Sequence, residues 1–259
     1  MDNIKKAVIL LNDADDEFFP LARVIPKELL PLADVPIVQR ITEEAIDCGV
    51  REVNFILPSG KKAVTDHFKY TDKVPTAQEG FKEKHFPVSF SYLSFKKGVK
   101  SNNLISRAKG KIGDEAFALM MSDVVFAGKN SSLHQLSSVF RTSQKPVVAL
   151  KEVEEEEMHS FNIVEAEKIA NRLYKIKKVI ENPDPKQTDS RLAIMGRYIL
   201  TPLVFDYFKD SNIEELMGGA LNDLINAGKT VYGYQCEGDW HFIDNKESYI
   251  SSLKAFLES

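Results

Sequence analysis

Residues 7–11 read Ala-Val-Ile-Leu-Leu, five apolar residues with no polar interruption. A strand with one face in water alternates apolar and polar side chains, so an unbroken apolar run of strand length belongs to a strand covered on both faces. The rest of the chain supplies the cover. Asp34 and Pro36 suit a helix start, Gly49 suits its end, and Ile37, Ile41, Ala45 and Ile46 fall on one face between them. A second strand fits 53–57, after which Ser59 is placed to cap a short helix ending at Phe68. Strand, helix and strand in that order build βαβ units, with helices on both faces of a sheet. Further strands fit 88–93, 117–121, 147–150, 173–180, 192–200 and 231–234, and further helices 132–140, 202–208, 213–227 and 246–257. The expected class is α/β: a three-layer sandwich around a mostly parallel, mixed sheet. Residues 70–86 show weak periodicity and read as a surface excursion. With no internal repeat and no low-complexity linker, residues 1–259 read as one domain. Ligands of open α/β sheets bind beyond the carboxyl ends of the strands, so the loop 12–20, which follows the first strand, is expected to overhang any site.

Composition narrows the partners. A net charge of -4 gives no footing for nucleic acid or an anionic membrane. Cys48 and Cys236 are far apart in sequence and read as reduced thiols of a cytoplasmic protein. The apolar run near the N-terminus is too short for a signal peptide or a membrane span. The five histidines, His67, His85, His134, His159 and His241, have no metal-ligand spacing, and neither a Walker-type loop nor a Ser-centred elbow is present.

More specific blocks follow. They are Ile25-Pro26-Lys27-Glu28-Leu29-Leu30-Pro31-Leu32, Glu43-Glu44-Ala45, residues 60–68 beginning Gly-Lys-Lys, Gly113-Asp114-Glu115-Ala116-Phe117-Ala118, and Gly196-Arg197-Tyr198 with its flanks through Pro202. In this order they resemble the bacterial UTP–glucose-1-phosphate uridylyltransferase family over nearly the whole chain. The resemblance implies a Rossmann-like nucleotidyltransferase fold. It also implies a reaction that joins UTP and glucose-1-phosphate into UDP-glucose and releases pyrophosphate, with Mg²⁺ as cofactor. Catalysis of that kind is mostly positioning and charge neutralisation.

The same resemblance marks where this chain departs from the family. The family's glycine-rich loop, with two glycines, a threonine and an arginine, falls on Asp13, Asp15, Asp16 and Glu17. Glycines let the backbone approach a triphosphate, and an arginine adds a cationic donor. One carboxylate–phosphate charge pair at roughly 5 Å costs about 3 kcal/mol at an effective dielectric near 20. The acidic run reads either as a solvated turn or as a cation-binding cluster, and both readings exclude a bare triphosphate. Lys27 keeps the family's catalytic lysine, and Arg23 stands for a second basic residue on the substrate side. The uracil-reading glutamine falls on Phe95, and the Gly-Leu-Gly-His stretch after it falls on Lys100-Ser101-Asn102-Asn103. Of the paired metal-site aspartates, Asp123 remains and the other is Val124, while a further Mg²⁺-binding aspartate near the C-terminus falls on Phe242. The Glu-Lys-Pro motif on the sugar-phosphate side reads Glu181-Asn182-Pro183, and a sugar-contacting Tyr-Gly reads Phe161-Asn162.

The retained residues also admit plainer roles. Lys27 can simply pack its loop, Asp123 can cap a turn, and Glu181 can be an exposed turn acid. Gly196-Arg197-Tyr198 lies within a strand and reads as packing, and the run 154–157 of four glutamates reads as a solvated loop. Two readings follow. In the first, the chain has lost uridylyl transfer and works as a binding or regulatory protein, through a homo-oligomer or an active paralogue. In the second, it is a working sugar-phosphate nucleotidyltransferase with a rebuilt loop.

Overall fold

The computed structural model describes residues 4–12, 16–69, 88–96, 102–208 and 213–258. In chain order its strands are β1 (Lys6–Leu10), β2 (Pro31–Leu32), β3 (Val35–Pro36), β4 (Glu52–Pro58), β5 (Ser89–Phe95), β6 (Phe117–Met121), β7 (Val124–Ala127), β8 (Val147–Glu152), β9 (Ile163–Ala170), β10 (Leu173–Ile180), β11 (Leu192–Leu200), β12 (Tyr232–Gln235) and β13 (Asp239–Phe242). Its helices are α1 (Ile37–Asp47), α2 (Lys62–Lys69), α3 (Asn102–Ile112), α4 (Ser132–Ser143), α5 (Ile213–Asn226) and α6 (Lys246–Glu258).

Among the described residues, nine strands form one sheet in the order β5-β4-β1-β6-β11-β8-β12-β10-β9. Seven of the nine point the same way, and only β10 and β11 run against them. The apolar run that opens the chain lies inside this sheet, with β1 paired in parallel to β4 on one side and β6 on the other. Successive side chains of a strand point to opposite faces. Ala7 and Ile9 therefore join the core under α1, α2 and α4, whereas Val8 and Leu10 join the core under α3 and α5. That division produces the three layers expected from the sequence.

Some boundaries differ from expectation. Asp34 does not cap α1: Asp34 lies in the turn between β2 and β3, Pro36 itself is the residue before the helix, and no side chain caps it. Within residues 202–208 the chain forms a five-residue 3₁₀ turn, Pro202–Asp206, in place of an α-helix. α3 was not anticipated, although Ile105, Ala108 and Ile112 have helical spacing and are all fully buried. β9 was missed because only Ile163 and Val164 are buried, while Glu165, Glu167 and Lys168 follow, the charged dress of an edge strand. β7 and β13 were also missed, and they form a two-stranded sheet of their own. The expected surface excursion at 70–86 lies outside the described residues, apart from which no helix of the described chain is long and apolar enough to cross a membrane.

Candidate active site

The site is built where β1 and β6 end. The backbone N–H of Ser122 donates to the Leu10 carbonyl at 3.1 Å, which seats the turn after β6 directly beyond β1. Asn12, two residues past the end of β1, donates from Nδ2 to Asp123 Oδ2 at 3.0 Å. The second carboxylate oxygen, Asp123 Oδ1, is buried and has no hydrogen-bond partner among the described residues. An Asp at this turn was expected to serve either metal binding or capping. The amide of Asn12 and the buried orphan oxygen match neither a simple cap nor a free surface acid.

The turn is held by a buried ion pair. Arg197 is fully buried in β11 and its guanidinium lies 3.1 Å from Glu44 of α1. The same guanidinium donates to the carbonyls of Met121 at 3.2 Å and Val124 at 2.7 Å, the residues that flank Ser122 and Asp123. Glu44 also accepts from the Ser132 hydroxyl and from the Leu133 N–H at the start of α4. Arg197 is thus packing and bracing, as its place within a strand implied. Gly196 beside it has φ +58, and an added Cβ there would meet the Met121 side chain at 3.0 Å, so the strand passes close against the turn only with glycine. Tyr198 lies near enough to sense the carboxylate: burial first, and the Asp123 charge second, push its phenol up.

Lys27 lies in a 3₁₀ turn, Lys27–Leu29, and is almost wholly buried. Its ammonium stands 5.5 Å from the centre of the Phe18 ring. The next residue, Glu28, accepts from Lys61 Nζ at 2.7 and 2.8 Å, and the Ser122 hydroxyl reaches Glu28 at 3.5 Å. The Lys27 turn and the Asp123 turn are therefore joined through adjacent residues. Arg23 is exposed and lies 5.8 Å over the Phe19 ring, and Asp16 and Glu17 are exposed in a 3₁₀ turn. Asp13 and Asp15 lie outside the described residues, as do Lys100 and Ser101.

Phe95, at the position the resemblance gives to a base-reading glutamine, ends β5 buried among Val8, Leu10, Ile56 and Ile105. A buried phenyl ring in that cluster offers no hydrogen bond to a uracil edge. On the side that the resemblance assigns to the sugar, β9 pairs with β10 so that Ile163 faces Ile180, and Ala193 of β11 also meets Ile163. This pairing brings Phe161-Asn162 and Glu181-Asn182 to the start of β11. The Glu181 carboxylate lies against α5, where a Cβ on Gly218 would fall 2.5 Å from Oε1. Asn222 holds that helix to β10 by donating to the Val179 carbonyl at 2.8 Å and accepting its N–H at 2.7 Å. Asn182 is exposed with φ +41, a left-handed backbone that asparagine tolerates better than most residues.

β13 closes the side that the resemblance assigns to the metal. It pairs with β7 so that Phe242 stands opposite Val124, and the Ile243 N–H donates to the Asp123 carbonyl at 2.7 Å. The Phe242 ring packs on Phe161 with centroids 5.1 Å apart. Two positions that the resemblance assigns to a metal carboxylate and a sugar contact therefore hold one aromatic pair. Mg²⁺ demands near-octahedral oxygen coordination. Here a single carboxylate, half engaged by Asn12, stands beside Val124 and Phe242. Among the described residues no group of three or more His, Cys, Asp or Glu is placed to hold a metal. Asp123 alone among these positions keeps a carboxylate, and its unpartnered Oδ1 is the one oxygen here that could take part in holding an ion. A separate open groove of about 670 Å³, lined by His134, Val139, Leu173, Tyr232 and Tyr234 among others, contains none of these residues.

Comparison with known proteins gives a consistent picture. A family model described as Nucleotidyl transferase matches residues 6–259. UTP–glucose-1-phosphate uridylyltransferase 1 of Staphylococcus saprophyticus is 30% identical over 265 residues, covering 98% of this chain and 92% of that relative. The UTP–glucose-1-phosphate uridylyltransferase of Bacillus subtilis is 27% identical over 268 residues, covering 99% of this chain and 92% of its own. Among solved structures, a UDP-glucose pyrophosphorylase complexed with UDP-glucose superposes with a TM-score of 0.88 at 29% identity, covering 98% of this chain and 99% of that one. An apo UDP-glucose pyrophosphorylase superposes with a TM-score of 0.86 at 27% identity, over 98% of both chains.

Proposed function

The chain belongs to the nucleotidyl transferase family and, within it, to the UTP–glucose-1-phosphate uridylyltransferases, and from that membership we propose that it keeps the fold without carrying out uridylyl transfer. Its role in this reading is binding or regulation, including assembly with an active paralogue.

The observation that carries the proposal is the Phe161–Phe242 ring pair set against Val124, beside Asp123. Transfer requires an oxygen of the sugar phosphate to attack the α-phosphorus of UTP while pyrophosphate leaves. The barrier falls when the developing charge is neutralised by cations and directed donors. An apolar pair at that place supplies neither. The buried Phe95 and the exposed Asn182 remove a base contact and a phosphate-facing cation at the two other ends of the substrate path. Loss of one electrostatic contact typically reduces turnover by about 10²–10³. Three losses on separate substrate groups leave nothing measurable.

The test is direct. Purified protein given UTP, glucose-1-phosphate and Mg²⁺ is expected to release pyrophosphate no faster than a reaction without protein. Turnover that vanishes in Lys27→Ala would overturn the proposal and establish the second reading, an active uridylyltransferase with a rebuilt loop.

A further inference from the structure

The open groove of about 670 Å³ lies on the α4 side of the sheet, away from every residue of the candidate active site. Tyr232 and Tyr234 of β12 stand opposite Val147 and Ala149 of β8, which belong to the core under α4, so both rings rise on that face. Leu173 of β10 is directly across from Tyr234 and continues the floor. Ile169 of β9 adds an exposed apolar side chain to the lining. The facing wall is α4. His134, Ser138 and Thr142 are four residues apart, with Gln135 and Val139 beside them, so they form one stripe along the helix.

The groove is built before any ligand arrives. Gly233 lies between the two tyrosines, where an added Cβ would collide with Leu150 on the other face, so the strand carrying the rings sits tight on its core. Gln135 donates from Nε2 to the carbonyls of Asn130 and Glu237, both at 3.0 Å, and accepts the Glu237 N–H at 2.8 Å. That amide ties α4 to the segment after β12 and sets the distance from wall to floor. The phenols of Tyr232 and Tyr234 and the His134 ring, by contrast, make no hydrogen bond among the described residues.

Charge narrows the occupant. Among the described residues that line the groove, none is Asp, Glu, Lys or Arg. Arg141 is engaged at 3.2 Å by the Ser138 hydroxyl, and Arg172 is paired with Glu237 at 2.6 Å. A phosphate or nucleotide calls for several charge-assisted donors, which this lining does not supply. An added peptide strand needs a free sheet edge, but β12 is paired on both sides, with β8 and β10. An amphipathic helix needs an apolar groove, and the α4 wall is polar. The chemistry left is an uncharged molecule with apolar faces and a hydroxylated rim. A sugar ring has that form: its C–H face carries slight positive charge and settles on the negative face of an aromatic ring, while its hydroxyls meet phenols and imidazole. We propose that this groove binds a short neutral carbohydrate, with Tyr232 and Tyr234 as the stacking floor and His134 as a polar contact on the wall. Its volume falls in the range of small-molecule sites, about 300–1,000 Å³.

Saturation-transfer NMR on the full chain tests this with maltotriose, cellotriose and N-acetylchitotriose, all uncharged. At least one is expected to bind, with a dissociation constant of about millimolar order. Tyr234→Ala is expected to weaken that binding about tenfold, the effect of losing a stacked ring, and Tyr234→Phe, which keeps the ring, to weaken it less. Ser138→Trp fills the groove from an exposed position on α4. It is expected to abolish binding with an unchanged circular dichroism spectrum, which separates a blocked groove from a lost fold. Glucose-1-phosphate and UTP are expected to leave the bound sugar in place, so that a sugar held in the candidate active site would be told apart. Absence of saturation on all three sugars overturns the proposal, and a proline-rich decapeptide bound in their place would assign the groove to a peptide. Binding that survives Ser138→Trp, or that glucose-1-phosphate displaces, overturns it as well.

Discussion

Replacing Arg197 by alanine is expected to lower the unfolding free energy by about 3–5 kcal/mol, the range for removing one partner of a buried ion pair. The guanidinium is fully buried, and its partner Glu44 is nearly so, at 9% side-chain exposure. Glu44 would keep the Ser132 hydroxyl and the Leu133 N–H but lose its countercharge. The carbonyls of Met121 and Val124 would lose their donor as well. Leaving a buried acceptor unsatisfied costs about 1–3 kcal/mol. Urea denaturation measures the effect, with a lower midpoint at an unchanged slope as the expected result. Arg197→Met combined with Glu44→Leu removes the uncompensated charge but leaves the Met121 and Val124 carbonyls, the Ser132 hydroxyl and the Leu133 N–H without these partners, so it is expected to recover only part of the loss. A single alanine variant within about 1 kcal/mol of the native protein would show that the pair does not brace the turn.

That brace also marks the limit of what the sequence disclosed. The sheet was legible because residues 7–11 and 117–121, at its centre, are apolar without interruption. Residues 117–121, 173–180 and 192–200 were placed with the bounds that the structure gives. The elements that shape the site were harder to see. β7 and β13 have four residues each, and β13 reads Asp-Trp-His-Phe, which has no run of core residues. Their pairing is what carries Phe242 to Asp123, across more than a hundred residues of sequence. The resemblance named Phe161 and Phe242 as separate departures. Only the fold shows that they fill one place together. Asn12 was passed over as a loop residue, because nothing local distinguishes an asparagine that holds an aspartate 111 residues away. Glu44 sat inside a recognised block, but a buried carboxylate cannot be told from a surface one by an alternation that also carries Glu43. The acidic residues were legible as charge alone. Asp16 and Glu17 prove exposed.

Restoring the family's residues in the loop is expected to return nucleotide binding without returning chemistry. The variant carries Asp13→Gly, Asp15→Gly, Asp16→Thr and Glu17→Arg. It removes four negative charges, adds one positive charge and gives the backbone two flexible positions next to the expected phosphate path. Lys27 is already in place, buried against Phe18 and joined through Glu28 and Ser122 to the Asp123 turn. UTP affinity is expected to rise from undetectable to about millimolar, a gain of roughly 4 kcal/mol. It stays weak because Phe95 is committed to the core below β5 and offers the base nothing. Turnover stays absent because Val124 and Phe242 still face each other beside Asp123, and Asn182 still leaves the sugar phosphate without a cation. Changing Phe242 to aspartate in the same background sets a second carboxylate beside Asp123 and leaves Phe161 without its ring partner. Together with Asn182→Lys it is the smallest addition expected to bring pyrophosphate release above background. Titration calorimetry with UTP and a pyrophosphate assay on both variants read the two steps separately. Full turnover from the four loop changes alone would show that the aromatic pair never obstructed the reaction, and no gain in UTP affinity would show that the loop was not what kept the nucleotide out.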